Sequence, residues 1–166
     1  MKKELLKARA RGVQPDIESY WNVARTGHAT TYLFVSLVGL KDLDPIKIAK
    51  KVTQGLKFQS LERFQENTLF SMRDVADLVS IPPRTLHRRK AKGRLDPDES
   101  DRLLRVTRVF AKALELFEGD AQAARSWFHT PARALGNERP IHLARTDVGS
   151  REVEALIDRL EHGVLT

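Results

Sequence analysis

Cysteine is absent from the 166 residues. That removes a disulfide framework, thiol nucleophiles and cysteine-based zinc sites, and it fits a reducing compartment. Long apolar runs are missing too. The longest, residues 32–40, falls far short of the roughly 20 residues that span a bilayer. The basic segment 1–11 is not followed at once by the apolar stretch of a secretory signal. The expectation is a cytoplasmic protein with no membrane partner. Histidine is sparse: His28, His87, His129, His142 and His162 are scattered and form no His-x-x-x-His pair. Neither a glycine-rich phosphate loop nor a nucleophile elbow occurs. These gaps argue against catalysis, a metal site or a cofactor.

What is present describes a globular chain, with 41% hydrophobic and 31% charged residues. Lysine and arginine number 29 against 22 acids, a net charge of +7 that suits a polyanionic partner. Residues 1–29 are polar and basic and read as a mobile arm with room for a short helix. Beyond them one helix follows another, and no alternating strand pattern or internal repeat appears. Residues 32–40 read as a buried helix in preference to a strand.

Helix boundaries are marked by local chemistry. Asp44-Pro45 is an N-cap followed by a first-turn proline, and Gly55 closes that helix. Ser71-x-x-Asp74 and Asp96-Pro97-Asp98-Glu99 have the form of capping boxes. The second opens the longest helix, where Leu103, Val106, Phe110, Leu114 and Phe117 make one apolar stripe. Arg105, Arg108 and Lys112 form a separate basic stripe, the usual pattern of a solvated face. Gly119-Asp120 starts a further helix through Trp127-Phe128, and Pro131, Gly136 and Pro140 mark a looped stretch. A last helix from about residue 150 to 161 carries Val153, Leu156, Ile157 and Leu160, and ends at Gly163.

Residues 71–92 have the pattern of a helix-turn-helix. Ala76 is the small residue needed where two short helices approach steeply, and Val75, Val79, Ile81 and Leu86 supply inner-face apolar groups. Ser80 occupies the turn, where glycine is usual. Pro82 and Pro83 then open a cation-rich second helix. The N-terminal half of such a helix enters the major groove, so Arg84, His87 and Arg88, with Thr85 among them, are expected at DNA bases. Arg89, Lys90, Lys92 and Arg94 are expected to neutralise phosphates. Arg89 stands where an apolar anchor often lies.

The ordered set of motifs resembles the Xre (MbcA/ParS/Xre) antitoxin family, from about residue 38 to the C-terminus. It comprises Gly55-Leu56-x-Phe58, Leu61-Glu62-x-Phe64, Ile81-Pro82-x-Arg84-Thr85-Leu86-x-Arg88-Arg89 and Gly93-Arg94-Leu95. Glu99-Ser100-x-Arg102-Leu103-x-Arg105, Ala124-x-x-Trp127-Phe128 and Pro131-x-x-Ala134-Leu135-Gly136 follow. Arg139-Pro140, Thr146-x-x-Gly149, Val153 and Glu161-x-Gly163-Val164 complete it. The stretch Ile141-His142-Leu143-Ala144 and the Leu165-Thr166 ending depart mildly from the family pattern.

The resemblance implies an all-α fold: a helical N-terminal region with an Xre-like helix-turn-helix, packed on a small C-terminal toxin-binding unit. It implies two activities. One covers the cleft of a RES-domain, NAD-degrading toxin; the other binds operator DNA to repress transcription of the pair. The expected division is a basic arm at 1–29, a DNA-binding and dimerisation region at 30–118, and a toxin-binding unit at 119–166. The last has fewer than about 50 residues, too few for a self-sufficient core. Its apolar groups Trp127, Phe128, Leu135, Leu143, Val153, Leu156, Ile157 and Leu160 are therefore divided between the long helix and a partner. The resemblance places the ending Gly163, Val164, Leu165 and Thr166 at the toxin. On this division a chain cut near Phe117 still reads DNA, provided that it stays folded and dimeric. At least a homodimer is expected, since helix-turn-helix proteins pair to read two half-sites. The competing readings are a plain transcription regulator whose C-terminal unit serves only self-association, and a protein-binding inhibitor with a vestigial helix-turn-helix.

Overall fold

The computed structural model describes residues 15–27 and 31–163, and among them every regular element is a helix. Helix α1 (Pro15–Ala24) carries Asp16 and Glu18 in its first turn, where the helix dipole favours acids. It buries Ile17 and Tyr20 in the core. Asp16 accepts two hydrogen bonds from Arg63, at 2.6 and 2.9 Å, and one from Asn67 at 3.0 Å. The Tyr20 hydroxyl donates to Glu115. The short helix allowed for within the arm is present at 15–24, but the arm's expected mobility is corrected there: two apolar side chains three apart dock this segment on the body. Residues 25–27 continue the helix as a turn, and 1–14 and 28–29 lie outside the described residues.

Residues Leu33–Val38 form a 3-10 helix that buries Leu33, Val35, Leu37 and Val38. Helix α2 (Pro45–Gln54) starts as its sequence indicates, with Asp44 accepting from the Lys47 amide at 3.0 Å. It ends at Gly55, where a Cβ would lie 2.1 Å from the Leu95 carbonyl oxygen. Helices α3 (Phe58–Thr68), α4 (Met72–Leu78) and α5 (Pro83–Lys92) lead into α6 (Pro97–Leu116), which opens on the Asp96/Glu99 capping box. Leu103, Val106, Phe110 and Leu114 are buried as their spacing indicates.

Helix α7 (Ala121–Phe128) is capped by Asp120, whose carboxylate accepts from the Ala123 amide at 2.9 Å. A 3-10 turn (Arg133–Leu135) and the short α8 (Pro140–Leu143) follow. Helix α9 (Asp147–Glu161) is capped by Thr146 and lies along α6. The basic stripe of α6 is not a free solvated face. Arg108 reaches Glu154 at 2.8 Å and Lys112 reaches Asp158 at 2.7 Å, while Arg105 donates to the Arg145 carbonyl at 3.2 Å. One continuous hydrophobic core, from Ile17 to Ile157, underlies all these helices. At its centre Phe70 meets Phe110 and Phe128 edge-on, with ring centroids 5.6 and 5.5 Å away.

Candidate functional site

The helix-turn-helix is built by α4 and α5. Ser71 and Asp74 close the capping box reciprocally: the Asp74 amide donates to the Ser71 hydroxyl at 3.0 Å, and the Ser71 amide to the Asp74 carboxylate at 3.3 Å. In the turn, the Ile81 amide donates to the Ala76 carbonyl at 2.8 Å. Ser80 adopts φ of 54°, the left-handed conformation that explains why glycine is usual there. Val75, Val79 and Ile81 are buried and Leu86 packs against the core from a half-buried position.

Helix α5 divides its basic residues by face. Arg84, His87 and Arg88 are exposed at helical spacing, and none is hydrogen-bonded or ion-paired to another described residue. Thr85 is half-buried beside them. Lys90 lies 3.4 Å from Glu62 and Lys92 lies 4.0 Å from Asp96; both are exposed and free to exchange those weak pairs for others. Arg94 turns back, donating to the Gly55 carbonyl at 2.6 Å and to the Gln54 carbonyl at 3.3 Å.

Arg89 overturns an expectation. Its side chain is 10% exposed and is gripped by Glu99, at 2.8 and 3.1 Å, and by Asp96. It sits on the inner face, three residues after Leu86, so it cannot reach a phosphate. Its position in the apolar register of α5 was the available signal, with Asp96 and Glu99 downstream as counter-charges.

The N-terminus of α4 also touches the C-terminal elements. His129 Nε2 lies 3.4 Å from the Asp74 carboxylate, and its Nδ1 is 2.9 Å from the Arg125 carbonyl, which makes Nδ1 the donor there. The carboxyls of Asp16, Asp74 and Glu99 all lie below their ordinary values. Burial alone pushes each upward. Hydrogen bonds from Arg63 and Asn67 to Asp16, from Ser71 to Asp74, and from Arg89 and the Asp96 amide to Glu99 outweigh it in turn. A folded-state value below the unfolded one stabilises above the ordinary carboxylate range, and the stabilisation is lost as pH falls through the lowered values. Urea midpoints should therefore hold steady down to about pH 4.5 and decline below about pH 4. Replacing Glu99 by glutamine should flatten part of that decline.

The C-terminal unit presents less apolar surface than its sequence suggests. Phe128, Leu135, Val153, Leu156 and Ile157 are all buried within the chain's own core. The stripe Val153, Leu156 and Ile157, expected to be shared with a partner, is covered by α6. Trp127, Leu143 and Leu160 remain half-buried and Gly163 is exposed. Trp127 packs edge-on to Phe128 at 5.4 Å and leans on Phe117 at 6.3 Å. Val148, in the first turn of α9, is 73% exposed and was not singled out from the sequence. Val164, Leu165 and Thr166 lie outside the described residues.

Residues 47–108 match the profile of a family described as an antitoxin Xre-like helix-turn-helix domain. Residues 112–163 match one described as an antitoxin Xre/MbcA/ParS C-terminal toxin-binding domain. Three curated relatives carry the name antitoxin Xre. One from Yersinia enterocolitica is 43% identical over 94 residues, which are 56% of this chain and 64% of that protein. One from Photorhabdus laumondii is 34% identical over 116 residues, 69% of this chain and 78% of the relative. One from Pseudomonas putida is 33% identical over 84 residues, 50% of this chain and 52% of the relative.

Proposed function

The chain belongs to the Xre antitoxin family, and from that premise we propose that it silences a RES-domain toxin and represses its own operon. In this reading the C-terminal unit covers the toxin's NAD-degrading cleft, and α5 reads operator DNA as one half of a homodimer. The toxin contact falls to Trp127, Leu143 and Leu160, to Gly163, and to Val164, Leu165 and Thr166 beyond the described residues. The chain acts by occlusion and needs no catalytic group or cofactor of its own.

The observation that carries the DNA half is the division of cations on α5. Arg89 is consumed by the fold, whereas Arg84, His87 and Arg88 face outward with no partner in the described structure. Two unpaired arginines and an imidazole on an exposed face of a helix anchored through Leu86 and Arg89 are placed to meet base edges.

Mobility shifts over a salt series test this half. Arg84→Ala or Arg88→Ala should cost about 1–3 kcal/mol on the preferred promoter sequence and relax the preference. Lys92→Ala should weaken all sequences alike and lower the salt slope by about one. Identical behaviour of the three variants would place the reading helix elsewhere. Co-expression with a RES protein encoded beside the gene tests the other half: growth arrest should be relieved, and an NAD-consumption assay should report the silenced toxin.

A further inference from the structure

A second cationic site lies beside the reading helix. It is a cleft of about 510 Å³ where the loop at residues 38–41 meets the end of α2 and the start of α3. Lys41, Lys51, Lys57, Arg63 and Arg94 line it, and no carboxylate does. Arg63 is neutralised by Asp16. None of the other four forms an ion pair within the described structure, and only Lys51 is close enough to an acid, Asp42, to feel its charge. Lys41, Lys51 and Lys57 are exposed. Like charges gathered in one concavity raise the local potential and draw in an anion.

The cleft and α5 are joined rigidly. After Gly93 the backbone runs antiparallel to the segment before α3: the Phe58 amide donates to the Gly93 carbonyl and the Leu95 amide to the Leu56 carbonyl, each at 2.9 Å. Lys57 and Arg94 are the facing pair of that bridge. The close seating of Gly55 on the Leu95 carbonyl leaves no slack between the two segments. A polyanion running along the C-terminal end of α5 past Lys92 therefore meets Arg94, Lys57 and Lys51 in turn.

We propose that this cleft holds the phosphate backbone of DNA flanking the segment read by α5, so that the footprint continues beyond Gly93. The inference rests on the DNA-binding reading above. A nucleoside occupant is disfavoured because no aromatic ring lines the cleft to stack a base. An acidic peptide would satisfy the charges, but continuity with α5 favours the polymer that α5 itself engages.

The test uses the full chain, a fluorescent duplex from its own promoter and an unrelated duplex of equal length. Lys51 and Lys57 are exposed and neither forms an ion pair, the Asp42 charge acting on Lys51 only at longer range through solvent, so Lys51→Gln/Lys57→Gln should leave the urea midpoint unchanged. Its affinity should fall by the same factor on both duplexes, with the preference for promoter retained and the salt slope lowered by about two. Trimming the promoter duplex on the flank beyond Gly93 should remove the difference between variant and parent. If the parent binds the promoter and the double variant matches it in affinity and slope, the cleft proposal falls while the reading of α5 stands. If the parent binds neither duplex at any salt, both fall together. Binding of ATP or polyglutamate that the variant loses, with DNA binding unaltered, would also overturn the proposal and assign the cleft to a different anion.

Discussion

Arg89→Ala is expected to destabilise the fold by about 3–5 kcal/mol, the cost of removing one partner from a buried ion pair. The loss falls on Glu99, whose side chain is 8% exposed and takes two contacts from the Arg89 Nε. Glu99 also accepts the Asp96 amide at 2.8 Å, so the charge left behind sits in the cap of α6. Against a total stability of about 5–15 kcal/mol, such a loss removes much of the folded population. DNA binding disappears with it. Arg88→Ala, one residue earlier and exposed, should change stability by no more than about 0.5 kcal/mol and lose DNA binding alone. A compensated variant separates the explanations. Arg89→Met with Glu99→Gln removes both charges yet keeps an acceptor for the Asp96 amide, and should recover most of the stability and the promoter affinity. Urea unfolding and mobility shift on the same samples decide it. If Arg89→Ala keeps its urea midpoint but loses DNA, the arginine belongs to the DNA interface after all.

How much of this was legible in the sequence depends on the range of the interaction. Caps are local, and so Asp44-Pro45, Ser71/Asp74, Asp96/Glu99 and Asp120 all stand where the residues placed them. The inner face of α6 was legible because apolar spacing along twenty residues leaves little choice. Periodicity does not say which neighbour a stripe faces. Val153, Leu156 and Ile157 satisfy the same pattern whether they meet α6 or another chain, and they meet α6. Two cations in α6, Arg108 and Lys112, and two acids in α9, Glu154 and Asp158, are each four residues apart. That matched register was a readable hint of the pairing. The docking of α1 was less visible: Ile17, Tyr20, Trp21 and Ala24 mark it, but within a short helix set in a polar, basic N-terminal stretch. Arg89 was noticed as a misplaced anchor, but its partners become apparent only once α5 and α6 lie side by side.

The same dependence on α6 decides what a truncation does. A chain ending at Phe117 is expected to lose its cooperative fold, and with it DNA recognition. The cut removes Phe128 from its contacts with Phe70 and Phe110, at 5.5 and 5.9 Å between centroids, and strips Val153, Leu156 and Ile157 from α6. At about 1.5–3 kcal/mol for each fully buried side chain, the four together represent about 6–12 kcal/mol, an upper bound comparable to a whole domain's stability. Phe70 and Phe110 would face water, as would the sides of α3 and α6 that α7 and α9 cover, and these two helices hold the helix-turn-helix in place. Leu156→Asp follows the same logic: the carboxylate would be buried against α6, so complex formation would fail through unfolding of the C-terminal helices rather than at an interface. The two proposed activities are therefore separable only by surface substitutions, such as Arg88→Ala on one side and Trp127→Ala or Leu160→Asp on the other. Circular dichroism and urea unfolding of residues 1–117 check the expectation, with a broad, non-cooperative transition as the predicted result. A sharp transition accompanied by promoter binding would mean that the N-terminal helices fold without α7 and α9, and that the shared core is dispensable for reading DNA.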